Sequence, residues 1–186
     1  NSGINAYFGT PDTNNLVVAA YITGLGNVRK ASSGYLFGTV RFTCDTNDYT
    51  GDFGVNYGNV EFTSVADQGV PRSLGTATLG TGVITLGFGN SATRLGYVGA
   101  GNSSTTRSLD WANPTTGCIL EASGGGTIAY LATGNLKSGS GSGFFRLDGT
   151  NTGTNTLNQI INDNGGVTTV TKTNVGTWAL TGANNY

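Results

Sequence analysis

The residues best suited to chemistry in this chain are three aspartates that lie close together, Asp45, Asp48 and Asp52. Two suitably spaced carboxylates can hydrolyse a glycosidic bond, and an Asp-x-Asn pattern can begin a calcium-binding loop. Asp45 and Asn47 fit the start of such a loop, but Tyr49 stands at the third ligand position and no glutamate closes it. We therefore expect a solvated turn here, with no catalytic residue, no metal site and no cofactor.

The chain has two cysteines, Cys44 and Cys118, and no histidine. Without histidine it lacks the commonest general base near neutral pH and the commonest metal ligand. Each cysteine lies two residues from a side chain expected to face inward, Phe42 for Cys44 and Leu120 for Cys118. Because side chains alternate along a strand, both thiols are expected to be buried. A disulfide between them is the alternative, because such bonds persist outside the cell.

The composition argues against several classes of partner. Glycine accounts for 32 of the 186 residues, and the formal net charge is -1. Because the nine basic and ten acidic side chains are spread evenly, we expect no nucleic-acid partner. No apolar run approaches the length that crosses a bilayer, so we expect no membrane insertion. Low charge together with 37% hydrophobic residues argues against a disordered chain. The absence of histidine and methionine, together with only two cysteines and three lysines, favours an extracellular surface protein.

Short alternating runs dominate the sequence and predict an all-β protein. Residues 36–44 alternate between large and polar side chains, as is typical of a strand with one buried face. The continuous apolar run 16–22 predicts a strand buried on both faces, with a short buried helix as the alternative. Residues 65–74 predict a loop, and the Ser/Gly tract 136–143 predicts a loop tip or a flexible joint. No stretch keeps helical apolar spacing without a glycine break.

A module recurs at residues 22–49 and 161–186, within what we expect to be a single unit spanning residues 1–186. Each copy has an isoleucine, a glycine-containing turn, a Val-x-Lys segment, an alternating strand and a closing Asn-x-Tyr. Lys30 and Lys172 hold the same position in the module, which indicates a solvated strand end. Self-similarity at long spacing is typical of repeat architectures.

The second copy resembles the autotransporter-associated β-strand repeat, also called the passenger-associated transport repeat, of bacterial surface proteins. That pattern runs roughly Thr-Lys-x-Gly-x-Gly-Thr, an aromatic residue or leucine, and then x-Leu-Ser/Thr-Gly-Ala-Asn-x-Tyr-Thr-Gly. It is matched by Thr171-Lys172, by residues 176–182 and by Ala183-Asn184-Asn185-Tyr186. The resemblance implies bacterial secretion and display at the cell surface.

The repeated module and its resemblance favour a parallel β-solenoid, similar to a β-helix, over an antiparallel β-sandwich. Rungs of about 20–25 residues would give roughly eight rungs, and a rise of about 4.8 Å for each rung makes a body about 40 Å long. Such a solenoid has an open sheet edge at each end, and unpaired edges recruit other chains.

The two ends of the chain are expected to fit each other. Residues 1–9 resemble residues 50–58, so the beginning of the chain can continue the motif at which its end stops. Copies would then associate end to end, and a head-to-tail contact that does not close makes a fibre. A unit of a longer tandem array and a capped monomer are the alternatives. The predicted interface comprises Ile4, Tyr7, Phe8, Trp178, Leu180, Asn184, Asn185 and Tyr186.

These features predict a non-enzymatic extracellular structural protein, the subunit of a glycine-rich bacterial surface fibre or filament. A carbohydrate- or host-binding adhesin passenger, with surface glycans as partners, is the first alternative. Tyr49, Phe53 and Tyr57 could supply an aromatic platform for sugars, although core packing is the preferred interpretation. A polysaccharide-acting β-helix enzyme is the second alternative, and it would need charged side chains projecting from adjacent rungs.

Overall fold

The computed structural model describes residues 4–10, 13–30, 38–87 and 92–186 of the chain. In these residues the backbone winds into a parallel β-solenoid, in which each turn pairs with the turn before it. The alternating runs form the strands, and a glycine or asparagine after several of them lets the chain change direction. The predicted solenoid is confirmed, and the described strands form no antiparallel sandwich.

The described residues contain sixteen strands and one short 3-10 turn. In chain order the strands are β1 (Asn5–Phe8), β2 (Asn15–Val18), β3 (Asn27–Lys30), β4 (Thr39–Phe42), β5 (Phe53–Val55), β6 (Gly58–Phe62), β7 (Ile84–Leu86), β8 (Thr93–Tyr97), β9 (Ser103–Thr105), β10 (Leu109–Trp111), β11 (Cys118–Ala122), β12 (Ile128–Tyr130), β13 (Gly143–Asp148), β14 (Thr154–Leu157), β15 (Thr168–Lys172) and β16 (Thr177–Leu180). The 3-10 turn is Pro114–Thr116. Within these ranges no helix has the length and apolar character needed to span a membrane.

The strands belong to three sheets that run along the solenoid. The orders are β1-β3-β5-β7-β10, β15-β13-β11-β8-β6-β4-β2 and β16-β14-β12-β9, which we call the five-, seven- and four-stranded sheets. The seven-stranded sheet takes one strand from each turn, so the described solenoid has seven turns rather than the eight predicted. The predicted rung length is too short for the turn between β6 and β8, because that turn contains a long loop, residues 63–83.

Inward-facing side chains stack in columns along the axis and form one continuous core. In the seven-stranded sheet, Val40, Val60 and Leu95 lie one above another and are fully buried. Burying each such side chain contributes about 1.5–3 kcal/mol. The predicted alternation is confirmed in β4, where Phe42 is buried and Arg41 is exposed.

Two of the predicted segments differ from the structure. The run 16–22 is not buried on both faces, because β2 ends at Val18 and lies at the edge of its sheet with Val17 facing outward. The tract 136–143 is not simply a flexible joint, because Lys137 pairs with Trp111 of the preceding turn in a parallel bridge. The loop predicted from Val65 onward is present, within the longer loop 63–83.

The two copies of the module lie on different sheets. In the first copy β3 and β4 belong to the five- and seven-stranded sheets, whereas β15 and β16 of the second belong to the seven- and four-stranded sheets. Residues 31–37 of the first copy lie outside the described residues. Lys172 is exposed, but the solvated strand end predicted for Lys30 is wrong. Lys30 faces the core between Phe8 and Val55, and burial lowers its pKa.

Buried amide side chains connect successive turns. Asn47 is fully buried, and its Oδ1 accepts a hydrogen bond from the backbone N–H of Ile22 at 2.8 Å. Its Nδ2 donates to the backbone carbonyl of Ser73 at 3.0 Å, one turn later. Asn155, also buried, accepts from Ile128 and donates to Thr177 in the same manner. Each amide thus satisfies backbone groups of the turn before it and the turn after it.

Candidate binding surface

The loop 63–83 is the longest segment between two strands in the described residues, and it is attached firmly to the solenoid. The buried side chain of Arg107 donates from Nε to the carbonyl of Gly82 at 3.1 Å and from Nη1 to that of Leu74 at 2.9 Å. Burial lowers the pKa of Arg107, but a guanidinium remains charged in proteins. The loop therefore rests on a buried cation that holds its backbone in place.

Asp45 forms a second attachment between the solenoid and this loop. Its Oδ1 accepts hydrogen bonds from the hydroxyls of Thr63 at 2.7 Å, Ser64 at 2.6 Å and Ser73 at 3.0 Å. Desolvation alone would raise the pKa of Asp45, but these hydroxyls and the charge of Arg72 outweigh it and lower that pKa. The carboxylate stays ionised, and its other oxygen, Oδ2, has no hydrogen-bond partner among the described residues.

A groove of about 480 Å³ opens beside Asp45, and we call it the Asp45 groove. Strand ends of successive turns, the loop 63–83 and the segment after β8 surround it. Its lining consists of Thr43, Asp45, Thr63, Ser64, Arg72, Tyr97, Ala100, Gly101, Asn102 and Ser103. The hydroxyl of Tyr97 donates to the carbonyl of Gly101, which holds the segment after β8 in place. Because turns stack, residues distant in the sequence form one surface.

A second groove, of about 490 Å³, lies elsewhere along the same loop. Leu25 and Leu79, both exposed, give its lining apolar side chains, and Asp52 lines it as well. The carboxylate of Asp52 already accepts hydrogen bonds from the backbone N–H groups of Thr81 at 3.1 Å and Gly82 at 3.0 Å. This groove therefore offers fewer free polar groups than the Asp45 groove.

The three aspartates considered as a site are not brought together. Asp45 and Asp52 bind different parts of the loop 63–83, and Asp48 lies near Tyr21, whose hydroxyl lowers the pKa of Asp48. The described residues contain no group of three or more side chains that could hold a metal ion. The expected solvated turn is only partly correct, because Asn47 within it is buried.

The outer face of the seven-stranded sheet carries a row of ion pairs. Glu61 pairs with Arg41 at 2.5 Å and with Arg94 at 3.2 Å, and Arg94 also pairs with Glu121. Arg94 reaches the turns on both sides because Gly96, which pairs with Glu61 and Glu121, leaves room for its guanidinium. Pairs of this kind each contribute about 0–1 kcal/mol where solvent reaches them. The two glutamates are thus occupied by arginines.

The two cysteines have different surroundings. Cys118 is buried in a column between Thr93 and Phe145 of the neighbouring turns, and burial raises the pKa of its thiol. Cys44 is half-buried, and its sulfur lies 3.4 Å from the hydroxyl of Thr46. Both are free thiols, so no disulfide joins them in this structure.

The residues of the predicted subunit interface lie at the two ends of the described solenoid. Ile4 and Tyr7 are exposed at the β1 end, where Phe8 is half-buried. At the other end Trp178, Leu180 and Asn184 are half-buried, whereas Asn185 and Tyr186 are exposed. The indole N–H of Trp178 donates to the carbonyl of Asp148 at 2.9 Å, so this side chain is already held. Contact of these residues with another copy stays a prediction.

Sequence reasoning did not identify Ser64, Arg72 or Asn102 as functional residues. Each is an ordinary polar residue in its own segment, and the three meet only because the loop 63–83 folds back beside the turn after β8. The one usable signal was the polar, proline-containing stretch around Pro71, because long loops on rigid scaffolds often carry function.

Comparison with curated proteins relates the chain to a bacterial surface protein. Over 160 residues it is 31% identical to the protein described as Adhesin BmaC autotransporter from Brucella suis biovar 1 (strain 1330). The match covers 84% of this chain and 4% of the length of that adhesin. No protein-family model matches the chain, and no solved structure matches it either. The similarity supports an autotransporter-related surface protein, whereas membership of the β-strand repeat family stays a prediction.

Proposed function

We propose that this chain is part of the passenger of a bacterial surface adhesin of the autotransporter type, displayed outside the cell. The similarity to an autotransporter adhesin over 84% of the chain carries this proposal. It favours the adhesin passenger, the first alternative in the sequence analysis, over the fibre subunit. The chain covers a small part of that relative, so adhesion is proposed here for this segment and tested on it alone.

The structure supports a binding role rather than a catalytic one. A solenoid gives a rigid support, and its turns tolerate long loops that place binding residues on one side. The loop 63–83 is such a loop, and both grooves described above lie along it. Glu61 and Glu121 are paired with Arg94, which argues against a polysaccharide-acting enzyme that uses these carboxylates.

Attachment of coated particles to cells tests the adhesin proposal. Fluorescent beads coated with the folded chain would be applied to cultured animal cells and to bacterial cells, and bound beads counted as a function of coating density. We expect saturable attachment to at least one cell type, which soluble chain inhibits. Beads coated with the heat-unfolded chain are the control. Attachment no greater than this control on every cell type would overturn the proposal.

A second candidate function is end-to-end assembly into a fibre, and one observation favours it. Both ends of the described solenoid expose apolar side chains, including Ile4 and Tyr7 at one end and Tyr186 at the other. The edge strands there carry backbone groups that could pair with a further turn. A second copy stacked head to tail would continue the parallel sheets.

Negative-stain electron microscopy at several protein concentrations tests this assembly. Long uniform fibres are expected, and the Tyr186→Lys and Ile4→Lys variants should shorten them, because an inserted charge opposes burial of the edge. Val70→Lys, which changes an exposed residue of the loop 63–83, is the matched control. Discrete particles that stay small at high concentration would contradict end-to-end assembly.

A further inference from the structure

We propose that the Asp45 groove binds a neutral oligosaccharide through Asp45, Arg72 and Asn102. This proposal rests on the adhesin function proposed above, and it names the site and the chemical class of the ligand. The groove volume of about 480 Å³ lies within the range of sites that hold small molecules.

The groove presents free hydrogen-bond acceptors and donors side by side. Asp45 Oδ2 is a charged acceptor that no described residue occupies. Arg72 is exposed and commits only Nη1, which donates to the carbonyl of Pro71 at 2.9 Å. Asn102 accepts from the N–H of Thr127 through Oδ1, which leaves its Nδ2 free to donate. A sugar needs both kinds of partner, because each hydroxyl donates one hydrogen bond and accepts others.

Other ligand classes fit this groove less well. A metal ion would face the guanidinium of Arg72, and the described residues offer no group of three metal-binding side chains. An anion would face the ionised carboxylate of Asp45, whose charge repels it. An apolar ligand would leave the polar groups of the lining unpaired, which carries a free-energy cost. A neutral, polyhydroxylated ligand satisfies the acceptor and the donors together.

The geometry of the groove is largely fixed before any ligand arrives. Three hydroxyls hold one carboxylate oxygen of Asp45, so the other oxygen keeps its direction. Arg107 holds the backbone of the loop, and the N–H of Val65 donates to Ser103 Oγ at 3.3 Å, which joins the loop to β9. Little ordering is therefore needed on binding, and a fixed site loses less entropy than a mobile one.

The test uses the folded chain and a defined set of probes. Arrays of neutral animal glycans and of neutral bacterial polysaccharide fragments would identify a ligand and its source. Saturation-transfer NMR would then measure its dissociation constant. Arg72→Ala and Asp45→Asn should each weaken binding at least tenfold. The control is Arg146→Ala, which removes a partly exposed arginine that lies in the seven-stranded sheet and not in the groove. It should leave binding unchanged.

The outcomes separate the site from the proposed function. Asp45→Asn can loosen the loop, so Arg72→Ala is the decisive variant. An unchanged melting temperature and circular dichroism spectrum would show that this variant is folded. Glycan binding that the folded Arg72→Ala variant leaves intact would overturn the site. Bead attachment to cells without binding to any neutral glycan would overturn the ligand class but leave the adhesin function standing. If the unaltered chain neither binds a neutral glycan nor attaches beads to cells, both proposals are overturned.

Discussion

The Asn-x-Tyr motif that closes the repeated module lies at residues 47–49 in the interior of the solenoid and at residues 184–186 in its last described turn. In both copies the asparagine Oδ1 accepts a hydrogen bond at 2.8 Å from the backbone N–H of an isoleucine one turn earlier, Ile22 or Ile161. The two copies lie at different heights and follow strands of different sheets, yet they make the same connection to the preceding turn.

The copies differ in what covers them. Asn47 donates onward to Ser73, and the ring of Tyr49 packs beneath Gly75, where an added Cβ would lie only 2.5 Å from it. Tyr49 is 1% exposed, whereas Tyr186 is 52% exposed, and the Nδ2 of Asn184 has no acceptor among the described residues. The motif thus connects to the turn below by itself, but its stabilising burial depends on the turn above.

The largest expected effect is at the two tyrosines. Tyr49→Ala should lower the free energy of unfolding by about 3–5 kcal/mol, because it empties a fully buried site, whereas Tyr186→Ala should cost less than about 0.5 kcal/mol. Urea denaturation would measure both. Tyr49→Phe is the control, and it should be nearly neutral because the buried Tyr49 hydroxyl has no hydrogen-bond partner in the described residues. Equal losses for the two alanine variants would refute the comparison.

The asparagines should show a smaller difference of the same kind. Asn47→Ala leaves the buried carbonyl of Ser73 and the half-buried N–H of Ile22 without partners, at a cost of about 2–3 kcal/mol. Asn184→Ala removes one partly exposed hydrogen bond, for about 1 kcal/mol or less. Asn155→Ala, at another buried amide, should resemble Asn47→Ala. Urea denaturation decides, and a cost for Asn184→Ala as large as for Asn47→Ala would contradict this account.

The smallest effect concerns acid and the loop that covers the interior copy. The folded-state pKa of Asp45 is lowered, so its stabilising contribution is fully present above the ordinary aspartate value of about 3.9. That contribution is lost as the pH falls below this value, through the folded-state pKa. Melting temperatures between pH 2 and 7 should therefore favour the unaltered chain over Asp45→Asn near neutrality and converge in acid. A constant difference at every pH would contradict the assigned role of the carboxylate.

Side-chain alternation predicted the inward faces of the strands, but it did not predict which sheet each strand joins. Val28 and Val170 occupy the same position in the repeated module, yet they belong to different sheets. The sheet that a strand joins depends on which strand of the neighbouring turn it pairs with. The length of each turn determines that pairing. The loop 63–83 lengthens one turn, and several other turns are as long as or longer than the upper end of the predicted rung length, so the predicted number of turns was too high.

Buried cations were the other feature that the sequence did not reveal. Lys30, Arg107 and Lys137 are buried, although such residues are usually expected at the surface. Lys137 donates from Nζ to the carbonyl of Gly166 at 2.9 Å and to the hydroxyl of Thr168 at 3.0 Å, so oxygens of the next turn stabilise it. Such partners become visible only once the turns are stacked. The same holds for the partners of Asp45, the one residue of the candidate site that acidic spacing had singled out.

The stacking of turns has a mechanical consequence. Each turn is bound mainly to its two neighbours, so tension on the ends of the chain would peel turns away one after another. The connections between turns often join residues 25 apart, and a released turn of that length extends by about 80 Å. Detachment should pause at the turn that carries the loop 63–83, because Asn47, Asp45 and Arg107 form additional hydrogen bonds to that loop. In a flowing medium, a chain that unfolds turn by turn would lengthen in discrete steps, and each step would take up part of the applied force.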